Sequence, residues 1–358
     1  MSERKKILIF VGGKSAEHHI SLCSGYNLLK AIDKTKFEPI LIGITKTGNW
    51  TLQDIDQFLL QTPAADKINL LPSSKEILVS FGDVKNRFYL KDGLEPIANI
   101  AAIFPMLHGP YGEDGTIQGV FEHINLPYVG TNVLSSSVCM DKEIAKKLMV
   151  KDDIPTSKFL SFYDINACHC YDSKADLGLP CIVKPCNLGS SIGISKVETE
   201  ADFKDAIRLA FKHDNRILIE EFIVGREIEC AVLGNRNPIV SVPGEYVHQS
   251  NFFDFDAKYL KGNEIKMLIP AANLSEEKIK EVRELALKTY KTLACEGLSR
   301  VDIFITNQGD LFVNEVNTMP GFTNTSMYPS LINELGINYA DLITKLIELA
   351  IERYEYKK

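Results

Sequence analysis

Long apolar runs are absent from this sequence of 358 residues. A membrane-spanning helix needs about 18 consecutive apolar residues, so we expect no membrane segment, and the apolar stretch near the N-terminus is too short for a secretory signal. Long basic runs are absent too, and 40 Lys and Arg against 47 Asp and Glu give a net charge of −7. Because nucleic acids and anionic membranes attract basic patches, neither is an expected partner.

The eight cysteines are scattered and form no regular framework. In a chain of this length, such a pattern indicates reduced thiols and a cytoplasmic protein. Cys168 and Cys170 flank His169 but lack a second ligand pair at zinc-finger spacing, so an ordinary loop is preferred to a metal site.

Two familiar nucleotide-binding motifs are also missing. Gly12-Gly13-Lys14-Ser15 follows a predicted strand but lacks the G-x-G-x-x-G spacing of a dinucleotide site, and the chain contains no G-x-x-x-x-G-K-[ST] motif. The sequence therefore argues against a dinucleotide-dependent dehydrogenase and against a P-loop enzyme.

The first third of the chain alternates strands and helices. Apolar runs at 6–11, 39–44 and 100–105 predict buried strands, and a helix is expected after the first of them, to about Ile32. Continuous apolar strands separated by helices indicate a parallel sheet that is covered on both faces. Beyond Pro127 the pattern changes, and the length of the chain allows two or three domains.

The sharpest functional signal is a pair of runs rich in β-branched and aromatic residues, 300–305 and 311–317, which predict an antiparallel hairpin. With Gln308-Gly309 as a two-residue tip, Asp302 faces Glu315 and Arg300 faces Asn317. All four side chains then lie on one face of the sheet. A shift of one residue in the register would separate them.

Two directly opposed carboxylates repel each other unless a cation lies between them. Asp302, Glu315 and the amide oxygen of Asn317 provide three hard oxygen ligands, which suit Mg²⁺ that is shared with a phosphate. The alternative is a solvated polar face with Arg300 as the counter-ion. The hairpin thus predicts a magnesium site in which the metal also binds a nucleotide phosphate.

A candidate phosphate site lies upstream of the hairpin. Lys184 ends an apolar strand, where a buried ammonium is costly without an anionic partner, although a lysine at a strand end can also extend to water. The small-residue loop 189–193 can direct backbone N–H groups and hydroxyls at oxyanions. Residues 220–223 join two predicted strands, either as an adenine-binding hinge or as an ordinary edge strand.

Together, these spaced motifs resemble an ATP-grasp carboxylate–amine ligase, and more specifically the D-alanine–D-alanine ligases. The resemblance covers nearly the whole chain in the family's order. It is carried by Gly12-Gly13-Lys14-Ser15-Ala16-Glu17 with Ser21, His108-Gly109 with Gly112-Glu113-Asp114-Gly115, Met140-Asp141-Lys142, Phe252 to Tyr259, and Asn317-Thr318-Met319-Pro320-Gly321-Phe322.

The resemblance implies a mixed α/β (α+β) ATP-grasp fold. A Rossmann-like parallel-sheet domain at 1–129 would carry the first-substrate loop. Two α+β lobes would clamp ATP, a central one at 130–223 and a C-terminal one at 224–358 with the metal and the second-substrate site. The implied activity is ATP-dependent ligation of two D-alanines through a D-alanyl phosphate, for peptidoglycan precursors. ATP, two Mg²⁺ or Mn²⁺ ions and a homodimer are implied as well.

The resemblance also assigns roles to individual residues. The catalytic set is Glu17, Ser190, Arg300, Gly321 and Tyr259. The ATP contacts are Lys142, Lys184, Glu220, Ile223, Glu227 and Lys258. The substrate contacts are His108, Ser326 and Met327, and the metal ligands are Asp302, Glu315 and Asn317.

Several alternatives stay open. His108 can be a structural, hydrogen-bonded histidine, and Met327 can simply pack under the hairpin. Many relatives have Tyr where Phe253 and Phe255 stand, which puts hydroxyl contacts at those two positions in doubt. The second substrate can be D-serine or D-lactate, and a nucleotide-binding sensor without turnover is a different class of function.

Overall fold

The computed structural model describes residues 4–72, 75–83, 86–169, 176–247 and 266–357. The strands are β1 Lys5–Gly12, β2 Phe37–Ile44, β3 Trp50–Gln53, β4 Ile77–Val79, β5 Phe88–Leu90, β6 Pro96–Ile97, β7 Ile100–Pro105, β8 Phe159–Phe162, β9 Cys181–Pro185, β10 Ser195–Val197, β11 Ile217–Glu221, β12 Gly225–Leu233, β13 Ile239–Val240, β14 Glu245–Val247, β15 Lys266–Leu268, β16 Leu298–Thr306 and β17 Leu311–Asn317. The helices are α1 His18–Ala31, α2 Ile55–Phe58, α3 Thr116–His123, α4 Val133–Met140, α5 Lys142–Lys151, α6 Ile165–His169, α7 Glu200–Phe211, α8 Glu276–Thr292, α9 Met327–Asn333 and α10 Tyr339–Tyr356.

The N-terminal sheet has the strand order β3-β2-β1-β7, and β1 runs parallel to both β2 and β7. Residues 7–11 of β1 are fully buried, as the continuous apolar run predicts for a central strand covered on both faces. The edge strand β3 is antiparallel to β2. The predicted parallel sheet is therefore confirmed, with one antiparallel strand added at its edge.

Two further four-stranded sheets have the orders β10-β9-β11-β8 and β13-β12-β16-β17, and their pairings are antiparallel. They fall inside the ranges predicted for the central and C-terminal lobes. With the parallel N-terminal sheet they make the mixed α/β architecture that the sequence predicts. Across the described ranges, no helix is both long enough and apolar enough to cross a membrane.

The ends of the chain share a core. The cluster around β1 also contains apolar side chains of α9 and α10, among them Leu331 and Leu346. Arg353 of α10 reinforces this packing by donating hydrogen bonds to the carbonyl oxygens of Tyr128, at 2.7 Å, and Gly130. The last helix is thus part of the covering layer of the first sheet, and the boundaries predicted at 129 and 223 stay predictions.

The hairpin β16–β17 changes register along its length. Arg300 pairs with Asn317 and Asp302 with Glu315, as predicted, but beyond a bulge Ile303 pairs with Val313. The predicted two-residue tip is wrong. Thr306 and Asp310 instead close a three-residue tip, in which Gly309 adopts a φ of +88°. The extra residue at the tip is compensated by the bulge, so the polar end keeps the predicted pairing.

Candidate active site

The polar end of the hairpin holds a buried ion pair. Arg300 Nε donates to Asp302 Oδ1 at 2.7 Å, and Arg300 Nη2 donates to Asp302 Oδ2 at 2.6 Å. Asn317 Nδ2 also donates to Asp302 Oδ2, at 2.8 Å. Asp302 is only 3% exposed, so this carboxylate is not solvated as the alternative interpretation expects, although Arg300, Glu315 and Asn317 are half-buried. The pairing of Arg300 with a carboxylate, which that alternative also expects, is present. A bidentate, buried pair of this kind fixes both side chains.

A third carboxylate lies beside this pair. Glu229 of β12 pairs in register with Asp302, which pairs in turn with Glu315, so three acidic residues form a row across three strands. Glu229 Oε2 is 3.0 Å from Arg300 Nε. Although burial opposes its charge, Asp302 and Glu229 together raise the pKa of Arg300 above its ordinary value. Glu229 was not among the residues predicted from the sequence, although its two-residue spacing from Glu227 on a predicted strand places both side chains on one face.

The donor set at this end fits a divalent cation. Asp302, Glu315 and Asn317 offer hard carboxylate and amide oxygens, the ligands that Mg²⁺ prefers. Glu315 Oε2 is 3.3 Å from Lys142 Nζ, and Asp302 pairs with Arg300, so each of these two carboxylates faces a cationic side chain. Among the described residues, no three His, Cys, Asp or Glu side chains are arranged to hold a metal. The predicted set includes an asparagine, and its metal role stays a prediction.

Lys142 begins α5, where the helix dipole disfavours a cation. Asp141 caps the helix by accepting a hydrogen bond from the N–H of Ile144 at 3.0 Å, which sets the direction of the first turn. Lys142 Nζ donates to the carbonyl oxygen of Leu188 at 2.6 Å and reaches Glu315, so it connects the loop after β9 with the hairpin. An ammonium in this position is well placed for an anionic ligand.

The loop after β9 carries unusual backbone. Ser190 and Ser191 have φ values of +54° and +57°, a left-handed conformation that costs free energy for residues other than glycine. Ser190 Oγ donates to Glu17 Oε1 at 2.6 Å, which joins this loop to the N-terminal domain. Two members of the predicted catalytic set are therefore in contact. Another member, Tyr259, lies outside the described residues, as do Lys258 and the rest of the segment from Phe252 to Tyr259 that carries the resemblance.

His108 is 4% exposed and hydrogen-bonded at both ring nitrogens. Its Nδ1 lies 2.9 Å from the carbonyl oxygen of Met319, and its Nε2 lies 3.0 Å from Ser24 Oγ. Burial lowers the pKa of His108, which favours a neutral ring that donates from Nδ1 and accepts at Nε2. These contacts agree with the alternative in which His108 is a structural, hydrogen-bonded histidine. Its role in substrate binding stays a prediction.

The predicted second-substrate residues lie around the start of α9. Ser326 Oγ accepts a hydrogen bond from the N–H of Thr323 at 3.0 Å and lies next to Gly321. Met327 is 1% exposed and belongs to the core that contains Tyr328. This placement agrees with the packing alternative, and a contact from Met327 to a substrate stays a prediction.

The predicted nucleotide contacts lie along β9, β11 and β12. Lys184 Nζ is 2.9 Å from Glu220 Oε2, and both residues are 4% exposed, so Lys184 does not extend to water. Ile223 is half-buried in the loop between β11 and β12. Glu227 Oε1 accepts a hydrogen bond from Asn314 Nδ2 at 2.8 Å, at the hairpin bulge. The structure thus brings the predicted phosphate lysine and the predicted adenine hinge together.

The two antiparallel sheets define an ATP-grasp fold: one carries Lys184 on β9, next to the small-residue loop, and the other carries the row of carboxylates. The chain belongs to the D-alanine–D-alanine ligase family. A family model described as "D-ala D-ala ligase N-terminus" matches residues 6–131, and one described as "D-ala D-ala ligase C-terminus" matches residues 148–348.

Curated relatives and solved structures agree with this assignment. The chain is 44% identical to a D-alanine–D-alanine ligase of Oceanobacillus iheyensis, over 98% of this chain and 96% of the relative. It is 42% identical to D-alanine–D-alanine ligase A of Escherichia coli, over 98% and 97%.

Two of the similar solved structures carry different titles. The D-alanine–D-alanine ligase of Coxiella burnetii has a TM-score of 0.87 at 35% identity, over 99% of this chain and 96% of that chain. The VanG D-Ala:D-Ser ligase of Enterococcus faecalis has a TM-score of 0.85 at 38% identity, over 97% and 100%.

Proposed function

We propose that the protein joins two D-alanine molecules into D-alanyl-D-alanine, with conversion of ATP to ADP and phosphate, for peptidoglycan precursor synthesis. The observation that carries the proposal is the pairing of buried Asp302 with half-buried Glu315 beside Arg300, connected through Lys142 to the loop after β9. This arrangement suits a triphosphate and its counter-ions. Relatives named D-alanine–D-alanine ligase, 42–45% identical over nearly the whole chain, support it.

In this proposal, Lys142 and Lys184 bind the phosphates, while Glu220, Ile223 and Glu227 line the nucleoside. Asp302, Glu315 and Asn317 hold two Mg²⁺ or Mn²⁺ ions, which would neutralise charge on the phosphates during transfer. The protein positions the triphosphate between these groups, because phosphoryl transfer needs positioning and charge stabilisation more than covalent help.

The carboxylate of the first D-alanine takes the γ-phosphoryl group of ATP in line, and ADP leaves. Glu17 pairs with the ammonium of this first substrate. The amine of the second D-alanine then attacks the acyl phosphate, and phosphate leaves. Negative charge develops on the carbonyl oxygen during this attack, and the Arg300 guanidinium with the N–H of Gly321 stabilises it.

Water must be kept from the acyl phosphate, which it would hydrolyse. The hydrogen bond from Ser190 to Glu17 joins the loop after β9 to the N-terminal domain, which supports such a closure. Tyr259 completes this closure in the proposal, and Lys258 reaches the phosphates from the same segment. The protein works in the cytoplasm, where ATP and reduced thiols are found, and forms a homodimer, as the family suggests.

The experiment is an assay of ADP release with purified protein and D-alanine alone, or with D-alanine together with D-serine or D-lactate. We expect the highest kcat/KM for D-alanine as the second substrate. Absence of ADP release with all three would favour a nucleotide-binding sensor and refute the proposal. Light scattering of the same preparation tests the dimer.

The second candidate is a D-alanine–D-serine ligase, which the similarity to the VanG ligase favours. The apolar thioether of Met327 argues against it, because an apolar wall suits a methyl group better than a hydroxyl. A preference for D-serine in the assay would select this candidate. Tyr259 resembles the tyrosine of the family members that form peptides, so in this proposal it disfavours D-lactate, and a preference for D-lactate would contradict that role.

A further inference from the structure

Lys146 is a lysine without solvent exposure, in the second turn of α5. Its Nζ donates hydrogen bonds to Thr156 Oγ1 at 2.7 Å and to Ser157 Oγ at 2.8 Å. It lies 3.4 Å from Glu220 Oε1. Because a buried ammonium is expensive, a lysine enclosed by two hydroxyls and a carboxylate needs a reason beyond packing.

Glu220 lies between two ammonium groups. Its Oε2 is 2.9 Å from Lys184 Nζ and accepts a hydrogen bond from Ser157 Oγ at 3.2 Å. Within the described part of the chain, Oε1 accepts no hydrogen bond, so the charge of Lys146 is what compensates it. Although burial opposes ionisation, Lys146 and Lys184 hold the pKa of Glu220 below its ordinary value. The carboxylate is therefore charged.

Lys146 cannot touch a ligand itself, because it has no exposed surface and its ammonium is enclosed. Burial and the nearby Lys184 reduce the pKa of Lys146 to about 8, while Glu220 opposes the decrease. The predicted phosphate ligand Lys184 shares the same carboxylate. If a second cation neutralises Glu220, the positive charge of Lys184 is available to an anion. Lys146 is that second cation.

We propose that Lys146 is a positioning residue for nucleotide binding: its buried ammonium neutralises Glu220 and leaves the charge of Lys184 available to the triphosphate. This inference rests on the proposed function, in which Lys184 binds the phosphates of ATP. Without Lys146, Glu220 would hold Lys184 as its only counter-ion and would repel the incoming phosphates.

The test is a double-mutant cycle that measures ADP affinity by calorimetry in the presence of magnesium. Lys146→Met should weaken ADP binding roughly tenfold or more, the range expected when one partner of a buried charge pair is truncated. The same change in the Glu220→Gln background should weaken ADP binding less than twofold, because no carboxylate is left to neutralise. The cycle cancels any direct adenine contact of Glu220, since only the effect of Lys146 is compared.

Equal weakening in both backgrounds would show that Lys146 acts through packing, and no weakening in either would also overturn the proposal. In steady-state assays, Lys146→Met should raise the KM for ATP while the KM for D-alanine stays unchanged, a split that a general loss of stability would not produce. If Lys146→Met does not fold, Lys146→Gln replaces it, because its amide can still donate to the hydroxyls.

Lys147→Met is the matched control. It removes the same charge from the same helix, but its ammonium is exposed and pairs with Glu143 instead. ADP affinity should be unchanged in this variant. If the wild-type protein itself does not bind ADP, the proposed function fails; if it binds and Lys146→Met binds equally well, only the inference fails.

Discussion

Two charged regions of the candidate site, one around Glu220 and one at the polar end of the hairpin, carry opposite net charges. Around Glu220, one buried carboxylate faces two ammonium groups, those of Lys146 and Lys184. This region therefore has a surplus of positive charge in a place that is almost closed to water. A surplus of that kind attracts an anion, and the neighbouring loop after β9 adds backbone and hydroxyl donors.

At the hairpin the balance is reversed, because three carboxylates of β12, β16 and β17 share the cations of Arg300 and Lys142. The surplus there is negative, which suits a metal cation. The comparison teaches that the burial of charges does not by itself say what a site binds. What matters is the sign of the charge that the protein leaves uncompensated, and the two regions of this molecule leave opposite signs.

The largest expected effect comes from the negative region. Asp302→Asn or Glu315→Gln removes the charge of a proposed metal ligand and should reduce kcat by about a hundredfold or more, with the fold retained. Circular dichroism and a titration of activity with magnesium check this. Asp310→Asn, at the exposed tip of the same hairpin, is the control and should keep full activity. Full activity of either site variant, with unchanged magnesium dependence, would contradict the assignment.

An intermediate effect is expected where the loop after β9 meets the N-terminal domain. Ser190→Ala removes the 2.6 Å hydrogen bond to Glu17 and leaves that carboxylate less satisfied, at a cost of about 1–3 kcal/mol. We expect roughly tenfold lower kcat/KM and more hydrolysis of ATP without dipeptide, measured as phosphate released per dipeptide formed. Tyr259→Phe should behave alike if Tyr259 joins the same contact.

Ser191→Ala is the comparison for Ser190→Ala. It removes the neighbouring hydroxyl at a similar left-handed backbone conformation, so the difference between the two variants isolates the contact with Glu17. Identical kinetics of the two alanine variants would show that the Glu17 contact does not support closure.

The smallest effect concerns the second substrate. Met327→Gln keeps the length of the side chain and adds polar atoms. It should lower the preference for D-alanine over D-serine only a few-fold, because an apolar pocket rejects an added hydroxyl by about a hundredfold at most. Competition between the two amino acids at fixed ATP measures this.

Met327→Leu is the control, and its preference should stay unchanged. A substitution of Met327 by arginine is not a useful test, because the Met327 side chain is 1% exposed and the introduced charge would be buried. An unaltered preference in Met327→Gln would assign Met327 to packing alone.

The hairpin shows how sequence reasoning succeeded and failed in one element. The pairing of Asp302 with Glu315 was predicted from a two-residue tip, which is wrong. The prediction held because a bulge near Asn314 restores the register that the longer tip had shifted. Bulges have no strong sequence signal, since they depend on how neighbouring strands pair.

Two charged residues of the site escaped prediction for a related reason. Lys146 lies four residues after Lys142 on the same face of α5, a spacing that was visible, but its burial depends on Thr156 and Ser157 beyond the end of the helix. Glu229 is flanked by apolar residues on its strand, and its relation to Asp302 depends on strand order. Both contacts are non-local.

The sequence by itself determined the parallel N-terminal sheet, the strands of the hairpin and the family, because periodicity and spaced motifs are local properties of the chain. Tertiary structure alone decided which charge is compensated by which partner. It set Lys146 against Glu220, joined Ser190 to Glu17 and laid the last helix on the first sheet. The physical reason is that a buried charged or polar group depends on its nearest partner in space, wherever that partner lies in the sequence. Glu220 is 74 residues from Lys146, and Glu17 is 173 residues from Ser190.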